Sequence, residues 1–288
     1  MEKTEWRQGT VQEGIALVAV LWIVAALSVA VTGVVYAIRA ETRTMSAARG
    51  LIEAQVSGEA AIMLALQELT SPQAGPRQPW RTLQVSYGGR VISVEFHALS
   101  GFVDINRAAP ELLTVLLATA GGRDVQAAAK LAQSIVMERQ KPDALGRAQG
   151  FEDASELMRV PGVDYNLYAR LRALVTADVQ GSGKVNPRAA PLEVLTMLAE
   201  GNVARAQSMV SARRQSGGAG MDVTVMRGEF IDSGISSRYR VQALVPMADG
   251  SQGVVQLHVD VSPDTRAGLP WRIFNAETWM HASSSKGI

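Results

Sequence analysis

The sequence of 288 residues contains no cysteine. Disulfide bonds, thiolate nucleophiles and cysteine-ligated metals are therefore excluded, and an exported domain would have to be held together by its apolar core. Histidine is scarce as well, because the chain has only His97, His258 and His281, which lie far apart in the sequence. That spacing argues against a histidine-based metal cluster.

The chain also lacks a clear excess of charge of one sign. Its 28 Lys and Arg residues are balanced by 27 Asp and Glu residues, which gives a net charge of +1. Proteins that bind nucleic acid or anionic lipid headgroups usually carry a basic excess, which is missing here. The motifs of common enzyme classes are missing too, including the G-x-S-x-G nucleophile elbow, the Walker phosphate loop and the H-E-x-x-H zinc helix. We therefore predict that the chain is not an enzyme.

One long segment has no charge at all. No charged residue lies between Glu13 and Arg39, and residues 14–38 read GIALVAVLWIVAALSVAVTGVVYAI. As an α-helix, this segment would be about 36 Å long at about 1.5 Å per residue, slightly more than the roughly 30 Å hydrocarbon core of a bilayer. The sequence thus predicts a single transmembrane helix over residues 15–38.

Three interpretations of this segment remain open from its own residues. It fits a plain membrane anchor, a secretory signal peptide with Val35-Tyr36-Ala37 as a small-residue cleavage site, or the processed N-terminal helix of a pilin-like subunit. The apolar run is longer than signal peptides usually carry, and basic residues on both sides leave its orientation undecided. A polar leader, residues 1–14, ends in Gly14 directly before the apolar Ile15.

Beyond Arg39 the helical pattern continues and becomes amphipathic. A face that packs on a soluble domain is predicted from the apolar residues spaced three and four apart, which are Ile52, Val56, Ala60, Met63 and Leu66. An anchor followed by a short coiled stalk would show the same pattern. Since Pro72 and further Pro and Gly residues follow, the helix is expected to end near residue 70.

The remaining pattern predicts a sheet that is interrupted by helices. Residues 81–87 and 90–99 are predicted strands joined by a hairpin turn at Gly88-Gly89, and residues 237–246 and 253–261 are predicted to complete an antiparallel sheet. Alanine- and leucine-rich stretches between them predict helices over residues 110–120, 125–140, 153–159, 165–176, 191–200 and 203–215. The predicted fold class is α+β: a pilin-like long N-terminal helix packed on an antiparallel sheet, with an inserted all-helical domain of the SAM-like or helix-hairpin-helix-like kind.

Several local features support the helical insert. Asp124, Asp164 and Asn202 are predicted N-caps, because their side-chain oxygens can accept from first-turn N–H groups. Two similar turns, DINRAAP at residues 104–110 and KVNPRAAP at residues 184–191, each precede a leucine-rich helix. In these turns Asn106 and Asn186 are expected to bond the backbone of the turn.

These patterns divide the chain into six segments. They are a leader (1–14), an N-terminal helix (15–70), the first part of the sheet domain (71–100), the helical insert (101–216), the second part of the sheet domain (217–262) and a C-terminal tail (263–288). The last few residues of the tail are expected to be disordered.

The order of these elements resembles the minor pseudopilin K family of the type II protein secretion system. The resemblance is carried by the leader glycine before GIALVAVLW, by DINRAAPELL, by KVNPRAAPLEVL and by the late strand SSRYRVQALV. It implies cleavage by prepilin peptidase between Gly14 and Ile15, followed by N-methylation of Ile15. It also implies a single-pass protein of the bacterial inner membrane, with its soluble domain in the periplasm, that forms or initiates the tip of the pseudopilus during export of folded proteins.

The resemblance also implies partners. They are minor pseudopilins I and J, other pseudopilins, prepilin peptidase, the inner-membrane secretion platform and, more distantly, secreted substrates. Known members of the family bind calcium, but the resemblance places no ligands on residues of this sequence, so the metal ligands are unassigned.

One position departs from the pattern of most pilin-like subunits, which have a glutamate at the fifth residue of the mature chain. This chain has Ala19 there. A carboxylate inside the bilayer costs about 2.5–3.5 kcal/mol unless it is paired. In the pilin-like class, the resemblance implies, the N-terminal ammonium of the subunit ahead offsets that cost. A subunit that assembles first has no neighbour ahead, so Ala19 is consistent with a tip position.

The alternative is a membrane-anchored DNA-binding protein with a helix-hairpin-helix, belonging to an uptake or pilus system. Val160-Pro161-Gly162-Val163 and INRAAPELL resemble such hairpins, whose backbone N–H groups bind phosphates. However, Asp164 stands where the usual turn has a second glycine, which would place a negative charge beside the phosphate. The near-neutral net charge also argues against nucleic acid as a partner.

Overall fold

The computed structural model describes residues 11–71, 73, 75–142, 145–178, 180–216, 221–262, 268 and 270–281. The chain divides into two units, Met1–Glu53 and Ala54–Ile288. Helix α1 spans Val11–Leu69, which confirms the predicted end of the helix before the proline-rich loop.

The described residues of the second unit include a mixture of helices and strands, and this confirms the α+β class. The strands are β1 (Trp80–Tyr87), β2 (Arg90–Ala98), β3 (Val103–Asp104), β4 (Val175–Thr176), β5 (Arg238–Pro246), β6 (Gln252–Asp260) and β7 (Arg272–His281). Five of them form an antiparallel sheet in the order β1-β2-β5-β6-β7, while β3 and β4 form a separate parallel pair.

The hairpin of β1 and β2 forms where it was predicted. Gly88 and Gly89 have φ values of +58° and +74°, a left-handed pair that suits a type I′ turn and that glycine adopts without strain. The alternation of β2 is also confirmed, because the side chains on one face are buried against the helix. They are Ile92, Val94, Phe96 and Ala98.

Strand β7 lies in the segment that the sequence analysis treats as a C-terminal tail. Arg272–His281 pairs antiparallel with β6, with Trp279 opposite Val254 and a register shift between His258 and Val259. As an edge strand, β7 alternates only weakly between apolar and polar residues, so its pattern gives little signal. Residues 282–288, for which disorder is expected, lie outside the described part of the chain.

The face of α1 that packs on the sheet matches the predicted one only in part, because Leu66 is fully buried and Met63 packs against the core, whereas the two residues nearer the start of the predicted face are exposed. Ile52 and Val56 are 62% and 56% exposed. The residues that are buried between α1 and the sheet are instead mostly small: Ala54, Gly58, Ala61, Ile62, Ala65 and Leu66. A Cβ atom on Gly58 would lie only 2.4 Å from Cγ2 of Val255, so the helix approaches the strand more closely than a side chain there would allow. The contact face therefore consists of small residues together with Ile62 and Leu66.

The insert between β2 and β5 contains α2 (Pro110–Thr119), α3 (Val125–Arg139), α4 (Tyr165–Leu171), α5 (Leu192–Leu198) and α6 (Val203–Ser216). Two short 3₁₀ helices, Leu99–Gly101 and Ala154–Arg159, accompany them. The predicted N-caps are confirmed, because Asp124, Asp164 and Asn202 accept from the backbone N–H groups of Ala127, Leu167 and Arg205.

One predicted helix, over residues 165–176, is too long. Helix α4 ends at Leu171, and the β-branched Val175 and Thr176 pair in parallel with Val103 and Asp104. The preference of β-branched residues for extended backbone, satisfied here by a partner far away in the sequence, overrides the continuation of the helical pattern.

Two clusters of buried apolar residues lie in the second unit. One lies between α1 and the five-stranded sheet and also contains Ala189 of the second turn. The other fills the insert and extends past residue 216 to include Met221, Met226 and Phe230. The division of the chain into the six predicted segments stays a prediction.

Candidate functional site

The predicted processing residues belong to α1. Gly14 and Ile15 fall within the span of this helix, and their side chains lie outside the described part of the chain. Ala19 is exposed. The large apolar residues around it are also exposed, namely Leu17, Val18, Val20, Leu21, Trp22, Ile23, Val24 and Leu27. Among the described residues, no helix meets the length and apolarity needed to cross a membrane.

A buried cation connects the sheet to the insert. Arg240 of β5 is 5% exposed, and its guanidinium donates to the carbonyl oxygens of Ala173 (3.0 Å) and Val175 (2.8 Å) and to Nε2 of His258 (3.2 Å). The guanidinium also lies 3.9 Å from the ring centroid of Phe102. Burial lowers the pKa of Arg240 to about 10, and burial together with the Arg240 charge lowers the pKa of His258 to about 3. A neutral His258 can therefore accept the Arg240 hydrogen bond.

Beside this contact lies a polar cleft of about 240 Å³ whose lining includes Asp104, Asp178, Ser182 and Asp232. Asp104 is 4% exposed; its Oδ1 accepts from the backbone N–H of Asn106 at 2.9 Å. Its Oδ2 has no hydrogen-bond partner within the described part of the chain. Burial, opposed by that backbone hydrogen bond and reinforced by the charge of Asp178, raises the pKa of Asp104 to about 7.

The cleft does not fit the calcium ion that the family resemblance implies. Calcium takes about six to eight oxygen ligands, usually with several carboxylates. The described residues contain no group of three or more His, Cys, Asp or Glu side chains that could hold a metal ion. In addition, the carboxylate of Asp178 already accepts a hydrogen bond from the guanidinium of Arg238 at 2.9 Å. This ion pair neutralises the carboxylate that a calcium ion in the cleft would need as a ligand.

The two similar turns use their asparagines differently. As predicted, Oδ1 of Asn186 accepts from the N–H of Arg188 within its own turn at 2.9 Å. Asn106 instead bonds a distant segment, donating to the carbonyl oxygen of Phe151 (2.9 Å) and accepting from its N–H (2.7 Å). The prediction that the Asn106 side chain bonds its own turn is therefore wrong. The backbone N–H of Asn106 donates instead to Oδ1 of Asp104, so a neighbouring carboxylate makes the side-chain bond of this turn.

The hairpin that suggested DNA binding is present between the second 3₁₀ helix and α4. Gly162 has a φ of +95°, as a tight turn requires. However, the carboxylate of Asp164 accepts from the N–H of Leu167 at 2.7 Å and so occupies the helix terminus where a phosphate would bind. This geometry gives no support to nucleic-acid binding.

An arginine-lined pocket of about 390 Å³ was not predicted from the sequence. Its lining consists of Gln78, Pro79, Trp80, Arg81, Thr82, Arg188, Arg213 and Arg214. Three separate segments supply the four arginines, so no local motif unites them. The only sequence signal is the Arg213-Arg214 pair at the end of a predicted helix, which is also typical of residues that interact with the helix dipole.

No family model matches the sequence, and no curated protein matches it. Among solved structures, this chain is similar to a chain of the GspK-GspI-GspJ complex from the enterotoxigenic Escherichia coli type 2 secretion system, with 16% sequence identity and a TM-score of 0.45. The match covers 84% of this chain and 99% of that chain.

Proposed function

We propose that this protein is a minor pseudopilin of a type II protein secretion system, and that its role is assembly rather than catalysis. The observation that carries the proposal is the combination of three features in one chain. The first is a leader that ends in Gly14 before an apolar run. The second is the packing of residues 54–66 of α1 on an antiparallel sheet, and the third is a helical insert between two paired strands of that sheet.

The exposed apolar residues of α1 support a membrane location within this proposal. Large apolar side chains that are exposed in a continuous series need lipid or another protein around them. We place residues 15–38 in the bacterial inner membrane and the sheet and insert in the periplasm. The proposed partners are minor pseudopilins I and J, other pseudopilins, prepilin peptidase and the secretion platform.

Intact-mass analysis of the full chain, co-expressed with a prepilin peptidase and purified from membranes, tests the processing step. The expected mass begins at Ile15 and includes one added methyl group. Gly14→Leu should keep the leader, because the resemblance places the cleavage directly after a glycine. Gly33→Leu, a matched change within the apolar run, should be processed normally. A wild-type mass that begins at Met1 or at Ile38 would contradict the proposal.

The tip position is a separate part of the proposal and is tested at Ala19. Introducing a carboxylate with Ala19→Glu should weaken assembly with the other minor pseudopilins on the order of 100-fold, because a first subunit offers no ammonium ahead to pair with it. Ala19→Leu adds bulk without charge and should assemble normally. Co-purification of the minor pseudopilins and secretion of a reporter are the measurements. Unchanged assembly and secretion with Ala19→Glu would show that this position does not report tip placement.

A further inference from the structure

We propose that the arginine-lined pocket is a docking site for an acidic peptide segment of a partner protein. The inference does not depend on the membrane role proposed above, because every residue of the pocket belongs to the second unit of the chain. It rests on the composition of the pocket, on the environment of one buried arginine and on two exposed arginines that have no carboxylate partner among the described residues.

Three elements bring the four guanidinium groups together. Trp80, Arg81 and Thr82 come from the start of the edge strand β1, and Arg188 comes from the second of the two similar turns. Arg213 and Arg214 form the end of α6. Among the residues that the structure describes, no aspartate or glutamate lines the pocket. This concentration of positive charge is local, since the whole chain has a net charge of only +1.

Arg213 forms the buried part of the pocket. Its side chain is 5% exposed and lies over the ring of Trp80, with 4.9 Å between the guanidinium carbon and the ring centroid. One Nη donates to the carbonyl oxygens of Ala190 (2.6 Å) and Arg188 (3.3 Å), whereas Nε has no hydrogen-bond partner in the described residues. A buried guanidinium with no carboxylate bonded to it is costly and is stabilised by an added anion.

That cost is also visible in the pKa of Arg213. Burial, and secondarily the neighbouring charge of Arg214, lowers this pKa to about 10. A carboxylate placed in the pocket would oppose both effects, because it would compensate the lost hydration and screen the two cations from each other.

The acidic side chains near the pocket are already paired. Glu68 accepts from Arg81 of the pocket itself at 2.9 Å, so this arginine has a counter-charge, and Glu95 lies 3.4 Å from Nε2 of His97. The hydrogen bond from His97 and, more weakly, the fields of Arg214 and Arg213 lower the pKa of Glu95. The exposed side chains of Arg188 and Arg214 form no hydrogen bond or ion pair with the described residues, so both remain available to a ligand.

The shape and chemistry of the pocket favour carboxylates on a peptide. Planar guanidinium groups bind carboxylates through two parallel hydrogen bonds, and several arginines around one cavity suit a short run of acidic side chains. A volume of about 390 Å³ holds a few such side chains, and Trp80 adds apolar surface to the lining. A polyanion such as DNA would need a basic stripe along the surface rather than one compact pocket.

The test uses the full chain in detergent micelles and a fluorescein-labelled peptide that contains three consecutive glutamates, followed by fluorescence anisotropy. We expect saturable binding that weakens as salt is raised, since the contacts are ionic. The double variant Arg188→Ala/Arg214→Ala removes two exposed guanidinium groups and should raise Kd about tenfold or more. Arg205→Ala is the matched control, because it removes an exposed arginine of the same helix outside the pocket, and its Kd should be unchanged.

Inorganic phosphate and a single-stranded oligonucleotide serve as competing probes, and both should displace the peptide only at much higher concentrations. The proposal is overturned if the peptide shows no saturable binding, or if the control variant weakens binding as much as the double variant. It is also overturned if phosphate or the oligonucleotide binds more tightly than the peptide. Far-ultraviolet circular dichroism of each variant shows whether the fold is retained, and because both mutated side chains are exposed, retention is expected.

Discussion

Asp104 shows how one buried carboxyl group couples the insert to pH. It lies at the end of β3, accepts one backbone hydrogen bond through Oδ1, and leaves Oδ2 unsatisfied among the described residues. Because its pKa in the folded chain is raised to about 7 from 3.8, the folded state binds a proton more tightly than the unfolded state does. The stability that this group contributes is therefore complete below about pH 4 and is lost as pH rises through 7.

This direction of the pH dependence leads to a prediction for the variant Asp104→Asn. The amide keeps an oxygen for the Asn106 N–H but never ionises, so the variant should be more stable than the natural chain at pH 8, on the order of 2 kcal/mol, with a much smaller difference at pH 4. Urea unfolding at the two pH values, followed by tryptophan fluorescence, measures the difference in the free energy of unfolding. Because both proteins contain His258, its own opposite pH dependence cancels in the comparison.

Asp249→Asn is the control. Asp249 is exposed, and the hydrogen bonds that it accepts from Ser251 lower its pKa. Its loss should therefore not stabilise the chain at pH 8. A gain from Asp104→Asn that is equal at both pH values would mean that Asp104 does not titrate as proposed.

At the scale of elements, α1 packs through its small residues. Ala54, Gly58 and Ala61 bring the helix close to the sheet, and a Cβ atom on Gly253 of β6 would lie 2.3 Å from Cβ of Ala54. This close approach brings Ile62 and Leu66 fully into the core. The larger Ile52 and Val56, which dominate the hydrophobic pattern, remain exposed.

The difference between the two faces can be measured with a pair of truncations. Ile62 is fully buried, so Ile62→Ala should lower the free energy of unfolding by about 2–5 kcal/mol through lost burial and a residual cavity. Val56→Ala on the exposed face should change it by less than about 0.5 kcal/mol. Chemical denaturation of the full chain in detergent is the measurement. If both variants lost a comparable free energy of unfolding, Val56 would belong to the packing face, as the sequence pattern predicts.

For the whole molecule, sequence reasoning succeeded where local chemistry decides the structure. The Gly88-Gly89 turn needs two left-handed residues, and the helix starts at Asp124 and Asp164 need side-chain acceptors, so both follow from a few adjacent residues. The α+β class followed in the same way, from the order of alternating and helical patterns along the chain.

Features that depend on distant contacts could not be predicted. The packing face of α1 is set by how closely the sheet approaches Gly58, and the edge strand β7 is defined by pairing with β6 rather than by its own alternation. The arginine pocket combines three segments that only the fold brings together. The hydrophobic pattern of α1 was misleading, because several of its large apolar residues, such as Ile52 and Val56, are exposed rather than packed on the sheet.

The pairing of β2 with β5 places Ala98 opposite Tyr239, so the two ends of the insert leave the sheet side by side. Joining these strands in the unfolded chain means closing a loop as long as the whole insert, and that entropic cost grows with loop length. Long-range pairing of this kind is slow when nothing shortens the loop. The insert has an apolar core of its own, so forming it first would bring the two strand ends together before they pair. The position of the insert thus predicts that it forms before β2 pairs with β5.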